Sequence, residues 1–260
     1  MAAEPMDTET DASIESIAPA LPGELGDDAI IDGYERGARE HGAGGRWVRV
    51  NFVTSADGSA TVAGLSGGLS DAADKRVFAL LRRPCDVVVV GAGTIRAEGY
   101  GGMRVDEASE HWRVSHGFAA QPTLAIVSGR LDLDPASDVF TQAPVRPIIL
   151  TNGSSPVGQR ERLGAVADVI VCGEASFDTA TALDVLADRG LKRVHCEGGP
   201  HLFGTFVRQN TLDELCLTVS PVLEGGAGQR IIGGAQSERG LRLEQVLRSR
   251  DTLLLQYRVL

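Results

Sequence analysis

The amino-acid sequence predicts an α/β protein in which a mainly parallel, mixed sheet lies between two layers of helices. Apolar, β-branched runs recur along the chain, and helical patterns fall between several of them, which is typical of a parallel sheet covered on both faces. The run from Val87 to Val90 is apolar throughout, as expected for a strand with both faces buried. Because the 260 residues show no internal repeat and no second core, we expect one main domain.

In chain order, the first predicted element is a strand at 47–53, followed by a helix at 71–83 that Ser70 or Asp71 caps. Apolar runs predict the remaining strands at 86–90, 123–127, 147–150, 166–171, 192–196, 214–219 and 252–259. Helical patterns predict two further helices, at 179–189 and 202–207. The last two strands are separated by a Gly-rich loop, and we expect them to make the sheet mixed.

The N-terminal part of the chain shows no comparable pattern. We predict an acidic, partly flexible leader over residues 1–45 and the main domain over 46–260. Within the leader, residues 1–29 are acidic and polar, and residues 33–45 are polar and rich in glycine. Regular structure is therefore expected to begin at Arg46.

The composition argues against several classes of function. The formal net charge is −10, which disfavours nucleic acid and anionic membranes as partners. No apolar run approaches the roughly 20 residues that cross a bilayer, and residues 1–20 lack the basic and apolar regions of a signal peptide. The four cysteines form no C-x-x-C pair, so we expect buried free thiols and a cytoplasmic protein.

The most informative local feature is a strand that ends in two glycines and runs into a helical pattern. It comprises Glu197, Gly198, Gly199 and Pro200, directly after the run 192–196. Glycines let a ligand approach the backbone, Pro200 suits a first helical turn, and a helix N-terminus offers free N–H groups to an anion. The turn is therefore either a plain connection or a pyrophosphate cradle with a carboxylate beside it.

A second glycine turn, Gly91-Ala92-Gly93-Thr94, follows the strand at 86–90. The dinucleotide pattern G-x-G-x-x-G fails at its third glycine, where Arg96 stands. No strand ending in an acid follows about 20 residues later, so a standard Rossmann site is not expected. A phosphate-binding turn of another geometry remains open.

No metal site is predicted. His195-Cys196-Glu197 matches the H-x-E half of a zinc deaminase, but Val88 stands where the second cysteine after Cys85 is needed, and the two halves occur in reverse order. The chain also has no H-E-x-x-H motif. Three histidines are expected in solvated polar loops: His41, His111 and His116.

Charged residues adjoin the predicted turns. Asp57, which follows the first strand, is either a turn residue or a carboxylate at the carboxyl edge of the sheet, where open α/β folds bind ligands. Glu98 follows the second glycine turn and is either a surface acid or a ligand contact. Arg82, Arg104 and Arg130 each lie beside a candidate loop, either as solvated charges or as the positive field that phosphates need.

An ordered series of short motifs runs through the chain. In order they are NFVTSADG at 51–58, GGLS at 67–70, LLR at 80–82, DVVVVGAGT at 86–94, Glu98, Arg104, LAIVS at 124–128, EGGP at 197–200 and LDEL at 212–215. Their order and spacing over about residues 46–260 resemble the pyrimidine reductases of riboflavin biosynthesis, in particular the C-terminal reductase domain of the bifunctional deaminase/reductase. The resemblance implies a three-layer α/β/α fold like that of dihydrofolate reductase.

The resemblance also implies an activity, namely the NADPH-dependent reduction of a phosphorylated pyrimidine of the 5-amino-6-(5-phosphoribosylamino)uracil type, whose ribosyl group becomes a ribityl chain. In such a reaction the cofactor supplies hydride, and the protein orients the reactants and provides the electrostatic environment. The residues implied to bind the cofactor are Val53, Thr54, Gly91, Gly93, Thr94, Glu98, Ser128, Gly198, Gly199, Pro200, His201, Leu202, Phe203, Gly204 and Thr205. We add Arg130 as a contact for the 2′-phosphate, which would favour NADPH over NADH.

Substrate binding is implied for four residues, Ser66, Arg82, Arg104 and Glu197, with the arginines mainly at the phosphate. Opening of the sugar ring gives an imine carbon that accepts hydride. Three carboxylates are the candidate catalytic groups that steer the accompanying proton: Asp57, Glu98 and Glu197. The sequence does not choose among them.

The chain departs from the family pattern at several points. Glu98 stands where an aspartate is common, an aromatic residue near Gly68 is absent, and no fused deaminase module is expected. These departures leave two alternatives open: pterin reduction of the dihydrofolate reductase type, and NADPH binding without turnover. By analogy with the family, we also expect a homodimer that packs through the late strands and the loop at 225–234.

Overall fold

The computed structural model describes residues 12–260, and eleven strands of this part form one sheet. The strands are β1 (Glu15–Ala18), β2 (Ala20–Glu24), β3 (Trp47–Ser55), β4 (Val87–Gly91), β5 (Thr123–Val127), β6 (Ile148–Thr151), β7 (Asp168–Val171), β8 (Arg193–Cys196), β9 (Glu214–Ser220), β10 (Leu241–Ser249) and β11 (Thr252–Val259). The helices are α1 (Asp27–His41), α2 (Ala72–Leu81), α3 (Ala92–Ala97), α4 (Glu107–Ser115), α5 (Asp138–Thr141), α6 (Val157–Gly164), α7 (Thr179–Asp188) and α8 (Pro200–Arg208).

The sheet has a parallel part and an antiparallel part. Its strand order is β2-β1-β10-β11-β9-β3-β8-β4-β5-β6-β7. The seven strands from β9 to β7 in this order run parallel, whereas β11, β10, β1 and β2 continue the sheet in antiparallel pairs. The predicted mainly parallel, mixed sheet is therefore confirmed. Because parallel strands end at the same edge, the turns after β3, β4, β5 and β8 lie close together.

Helices cover both faces of the parallel part. On one face, α7 and α8 contribute side chains such as Leu186 and Phe203 to the core of the central strands. On the other face, α3 and α6 bury Ile95 and Leu163, and α1 and α2 pack beside them. This arrangement confirms the predicted three-layer α/β/α fold.

Regular structure begins well before Arg46, so the prediction of an irregular leader is wrong for the described residues from 12 onward. β1 pairs with β10, β2 pairs with β1, and α1 buries Ile30, Ile31 and Tyr34 in the same core as α2. Gly33 lies inside α1 and does not interrupt the helix. A Cβ there would lie 2.8 Å from the Gln245 side chain, so this glycine permits close packing. Residues 1–11 lie outside the described residues, and the division of the chain at 45/46 stays a prediction.

Two other segments also differ from prediction. α4 forms where a polar loop was expected, and Asp106 caps it by accepting a hydrogen bond from the backbone N–H of Ser109 at 2.7 Å. His111 lies in α4 and His41 ends α1, so neither occupies a loop, whereas His116 directly follows α4. β10 was missed because it begins without a continuous apolar run; the alternation of leucine with arginine and glutamate over its first four positions was a strand signal that the prediction did not use.

The four cysteines are buried and unpaired, which confirms the predicted free thiols. Burial raises the pKa of the Cys196 thiol to about 12. No helix in residues 12–260 has the length and apolar character that spanning a bilayer requires.

Candidate active site

A cavity of about 1030 Å³ opens at the carboxyl ends of the parallel strands. It extends from Asn51 in β3, past the turns after β4 and β8, to Arg130 beyond the end of β5. Most residues predicted to bind ligands line it: Val53, Ser66, Arg82, Gly91, Gly93, Thr94, Glu98, Arg104, Ser128, Arg130, Glu197, Gly199, Pro200, His201, Leu202 and Thr205. The topology thus collects motifs that are far apart in the sequence.

The two glycine turns lie side by side because β4 and β8 are neighbours in the sheet. The Gly91 N–H donates to the carbonyl oxygen of Gly198 at 2.8 Å. A Cβ on Gly199 would lie only 2.6 Å from Oγ1 of Thr94, so the close contact between the turns requires glycine at 199. Pro200 begins α8, as predicted, and the N-terminus of this nine-residue helix faces the cavity.

Glu197 forms a buried ion pair at the cavity wall. Nε of Arg82 donates to Oε1 at 2.6 Å, and Nη2 donates to Oε2 at 2.8 Å. The Tyr100 hydroxyl donates to Oε2 at 2.8 Å. Burial raises the pKa of Glu197, but the Arg82 guanidinium outweighs burial and holds the pKa below its usual range. The carboxylate is therefore ionised at neutral pH and fixed by three donors.

His195 lies on the core side of Glu197. Its Nε2 is 3.7 Å from Oε1 of Glu197, beyond hydrogen-bond distance, and neither ring nitrogen has a hydrogen-bond partner among the described residues. Burial lowers the pKa of His195 to about 3; the Glu197 carboxylate opposes this shift, whereas the Arg49 and Arg82 guanidinium groups add to it. A neutral imidazole therefore adjoins the ion pair.

Glu98 contacts the loop that borders the cavity. Both the backbone N–H and the hydroxyl of Ser66 donate to Oε1 of Glu98, at 3.2 and 3.0 Å. The carboxylate follows the end of α3, and Ser66 begins the 3₁₀ turn Ser66–Gly68. Glu98 thus joins two sides of the cavity, and its additional methylene, relative to aspartate, extends its reach toward Ser66.

The cavity contains five arginine and lysine side chains in different settings. Arg82 is engaged by Glu197 and lies 4.6 Å from the centre of the Phe78 ring, and Arg96 donates to the backbone carbonyl of Asp132 at 2.9 Å. No hydrogen bond or ion pair within the described residues engages the side chains of the other three, which are Lys75, Arg104 and Arg130. These cations offer positive charge to an anionic ligand.

Five predicted site residues do not line the cavity: Thr54, Asp57, Gly198, Phe203 and Gly204. Asp57 accepts from Ser55 Oγ at 2.5 Å and from the backbone N–H of Gly225 at 2.7 Å. These hydrogen bonds lower its pKa to about 2, so Asp57 is a loop-organising carboxylate rather than a cavity acid.

The other four have structural surroundings that explain their position. Thr54 Oγ1 donates to the carbonyl oxygen of Ser59 at 3.1 Å. Phe203 stacks on Phe52 in the core, with ring centres 5.2 Å apart. A Cβ on Gly198 would lie 2.9 Å from the Phe52 ring, and one on Gly204 would lie 2.0 Å from the Gly233 carbonyl oxygen, so these glycines serve close packing.

The sequence predictions omitted several cavity residues. Lys75 and Phe78 precede Arg82 by seven and four positions on α2, and this helical spacing was a usable signal. Asn51 is a polar residue within an apolar strand, which was also visible. Tyr100 carried no such signal, because only the fold brings it to Glu197.

Comparison with known proteins agrees with this architecture. A family model described as the RibD C-terminal domain matches residues 46–255. The chain is 24% identical over 204 residues to the 2,5-diamino-6-ribosylamino-4(3H)-pyrimidinone 5′-phosphate reductase of Archaeoglobus fulgidus, covering 78% of this chain and 93% of that protein. It is 28% identical over 182 residues to the riboflavin biosynthesis protein RibD of Bacillus amyloliquefaciens, covering 69% of this chain and 47% of that protein. The chain thus spans about half the length of that RibD.

A solved structure shows the same architecture. The pyrimidine reductase-like protein from Corynebacterium diphtheriae superposes with a TM-score of 0.76 at 27% identity, covering 83% of this chain and 92% of that chain. The likeness confirms the predicted dihydrofolate-reductase-like fold. Because the matching family model covers most of the sequence, the chain belongs to the RibD C-terminal domain family.

Proposed function

We propose that this protein is an NADPH-dependent reductase of a phosphorylated pyrimidine, converting its ribosyl group to a ribityl chain in riboflavin biosynthesis. The observation that carries the proposal is the convergence of the Gly91 and Gly199 turns, the Glu197–Arg82 pair and unpaired cations on one cavity. The reductase names of relatives with this domain support the reaction class.

The residues present fit a dinucleotide. Gly199 lies so close to Thr94 that a side chain on Gly199 would clash with the threonine hydroxyl. An added Cβ on Gly93 would have no neighbour within 4 Å, so the space beside this glycine is open. Next to them, the N-terminus of α8 offers backbone N–H groups and its positive dipole end to a pyrophosphate. When bound, the nicotinamide cofactor would supply the hydride. Val53 and Thr94 would border its nicotinamide, and Arg130 would contact the 2′-phosphate.

The substrate end of the cavity is assigned to Ser66, Arg82, Arg104 and Glu197. Arg104 has no side-chain partner in the described part of the chain, so its charge is available to a phosphate. Arg82 shares its charge with Glu197, and the two are proposed to bind the substrate as one unit. Their mutual hydrogen bonds fix the orientation of both groups before the substrate arrives.

The three candidate proton-steering carboxylates have different surroundings. Asp57 lies outside the cavity lining, and Glu98 is held by Ser66. Glu197 is an ionised carboxylate, which accepts hydrogen bonds and does not donate a proton at neutral pH. We propose that Glu197 orients the substrate as one unit with Arg82, whose side chain it fixes, and that Glu98 contacts the cofactor or substrate after Ser66 releases it.

A second pyrimidine is a candidate substrate. The Archaeoglobus relative, 93% of whose length the alignment covers, is named for a 2,5-diamino-pyrimidinone 5′-phosphate rather than a uracil. The two substrates differ at pyrimidine C2, where one carries an amino group and the other an oxo group. Comparing kcat/KM for both pyrimidines will assign the preference.

We further propose that the protein forms a homodimer. Cys216, Leu247 and Leu254 in β9, β10 and β11 face the core with α1 and α2. Side chains that alternate with them on the other face are apolar and only half-buried: Leu217, Val219, Val246, Leu253 and Leu255. A sheet face of this kind suits packing against the same face of a second copy.

The test of function is a steady-state assay of NADPH consumption with each pyrimidine 5′-phosphate and with dihydrofolate. We expect turnover with a pyrimidine, and by mass spectrometry a product that is heavier than its substrate by two hydrogens. Turnover of dihydrofolate alone would establish pterin reduction instead. Tight NADPH binding without consumption of any substrate would identify a cofactor-binding protein without turnover.

A further inference from the structure

Tyr100 is a cavity residue to which no role has been assigned above, and its position follows from the end of α3. Gly99 adopts φ = +65° after the helix, and the Tyr100 N–H then donates to the Ile95 carbonyl oxygen at 3.1 Å. This is the hydrogen bond of a Schellman turn, which favours glycine at the left-handed position. The turn thereby brings the phenol to Glu197 at the wall of the cavity.

The phenol meets one atom of the ion pair. Its hydroxyl donates to Oε2 of Glu197 at 2.8 Å, while Arg82 donates to both carboxylate oxygens. A carboxylate has about four acceptor positions, so one remains after these three hydrogen bonds. Because Tyr100 and Arg82 approach from different elements, the carboxylate has little freedom to rotate.

Resting on the proposed reduction, we propose that Tyr100 is a positioning residue that acts through Glu197. Its phenol holds Oε2 of Glu197, so that the Arg82–Glu197 pair keeps the orientation in which it binds the substrate. Loss of the phenol oxygen therefore affects substrate use without affecting cofactor binding at the glycine turns.

The surroundings of both groups support a neutral phenol on an ionised carboxylate. Burial, and then Glu197, raise the pKa of Tyr100 above its ordinary value. The titratable groups that face Glu197 are Arg82 directly after α2, Tyr100, His195 and Cys196 from β8, and Cys85; burial raises the pKa of both thiols to about 12. Of these groups, Tyr100 alone is a neutral donor already in hydrogen-bond contact with the carboxylate.

The kinetic test compares Tyr100→Phe with Tyr257→Phe, a control at a half-buried tyrosine of β11. Removal of a hydrogen bond to a charged group is expected to lower kcat/KM roughly tenfold, with the Kd for NADPH unchanged. The acid limb of the pH profile should move upward by up to about one unit. In a Glu197→Gln background, Tyr100→Phe should cause no further loss. If the loss of kcat/KM in the double variant equals the product of the two single-variant losses, Tyr100 does not act through Glu197, and the inference is overturned.

A second measurement does not depend on turnover. Carbon NMR of labelled glutamate gives the pKa of Glu197 directly, and Tyr100→Phe should raise it whereas Tyr257→Phe should not. An unchanged pKa in Tyr100→Phe would refute the positioning role even if the protein reduces pyrimidines. If the wild-type protein reduces no pyrimidine but the pKa of Glu197 rises in Tyr100→Phe, the proposed function is wrong, whereas the Tyr100–Glu197 hydrogen bond is confirmed.

Discussion

Replacing Arg82 with methionine would remove two of the three donors to a carboxylate whose side chain has 0% exposure. Tyr100 would remain as its donor, and the negative charge would be buried without a counter-ion. Breaking a buried pair in this way typically costs about 3–5 kcal/mol, because the remaining charge is left uncompensated. We therefore expect Arg82→Met to lower the free energy of unfolding by about that amount at pH 7.

The sign of the pH dependence follows from the same pair. In the wild type, the pKa of Glu197 lies below its unfolded value, so its stabilisation is present above the unfolded pKa and is lost as the pH falls through the folded pKa. In Arg82→Met the folded pKa rises above the unfolded value, and protonation on acidification relieves the penalty. The difference between the two proteins should therefore shrink as the pH falls from about 7 toward about 4.

Urea unfolding of three variants measures these effects. Arg82→Met combined with Glu197→Gln should recover most of the lost stability, because no buried charge remains. Arg46→Met is the matched control, since the Arg46–Asp184 pair is exposed and should contribute less than about 1 kcal/mol. If Arg82→Met unfolds within about 1 kcal/mol of the wild type at pH 7, or if the double variant recovers nothing, Arg82 does not stabilise the fold by neutralising a buried charge.

Three further predictions concern ligand binding and assembly. Gly199→Ala places a Cβ 2.6 Å from Thr94 Oγ1 and should weaken NADPH binding at least about tenfold in a fluorescence titration, whereas Gly158→Ala, with open space at its Cβ, should leave the Kd unchanged. Arg130→Ser should weaken NADPH binding by about tenfold and leave NADH binding unaltered, because only NADPH carries the 2′-phosphate; equal losses for both would contradict this role. Light scattering should give a dimer for the wild type and a monomer for Leu255→Glu, and a wild-type monomer would exclude the proposed interface.

The strands around the site were predictable because their sequences reflect which faces are buried and where the chain turns. β4 is apolar at four consecutive positions since both of its faces are covered, and β8 ends in the glycine turn that begins α8. The contact between these two turns, a backbone hydrogen bond from Gly91 to Gly198, needs only that β4 and β8 are parallel neighbours. Local pattern and global fold agree at these elements.

Other features depend on tertiary contacts that a local pattern does not contain. α1 combines glycines with charged residues, and its stability comes from burial of Ile30, Ile31 and Tyr34 against α2 and the sheet. The Arg82–Glu197 pair joins residues 115 positions apart, so each appeared as an isolated charge in the sequence. Tyr100 reaches this pair only because of the turn at Gly99.

In the proposed reaction, hydride passes in this cavity from NADPH to the sugar carbon of a phosphorylated pyrimidine. The most direct measurement uses NADPH deuterated at the transferred position of nicotinamide C4 and locates the label in the product by mass spectrometry and NMR. We expect one deuterium per product molecule, on the former anomeric carbon of the ribityl chain. An unlabelled product, label at another carbon, or no product from either pyrimidine would contradict it.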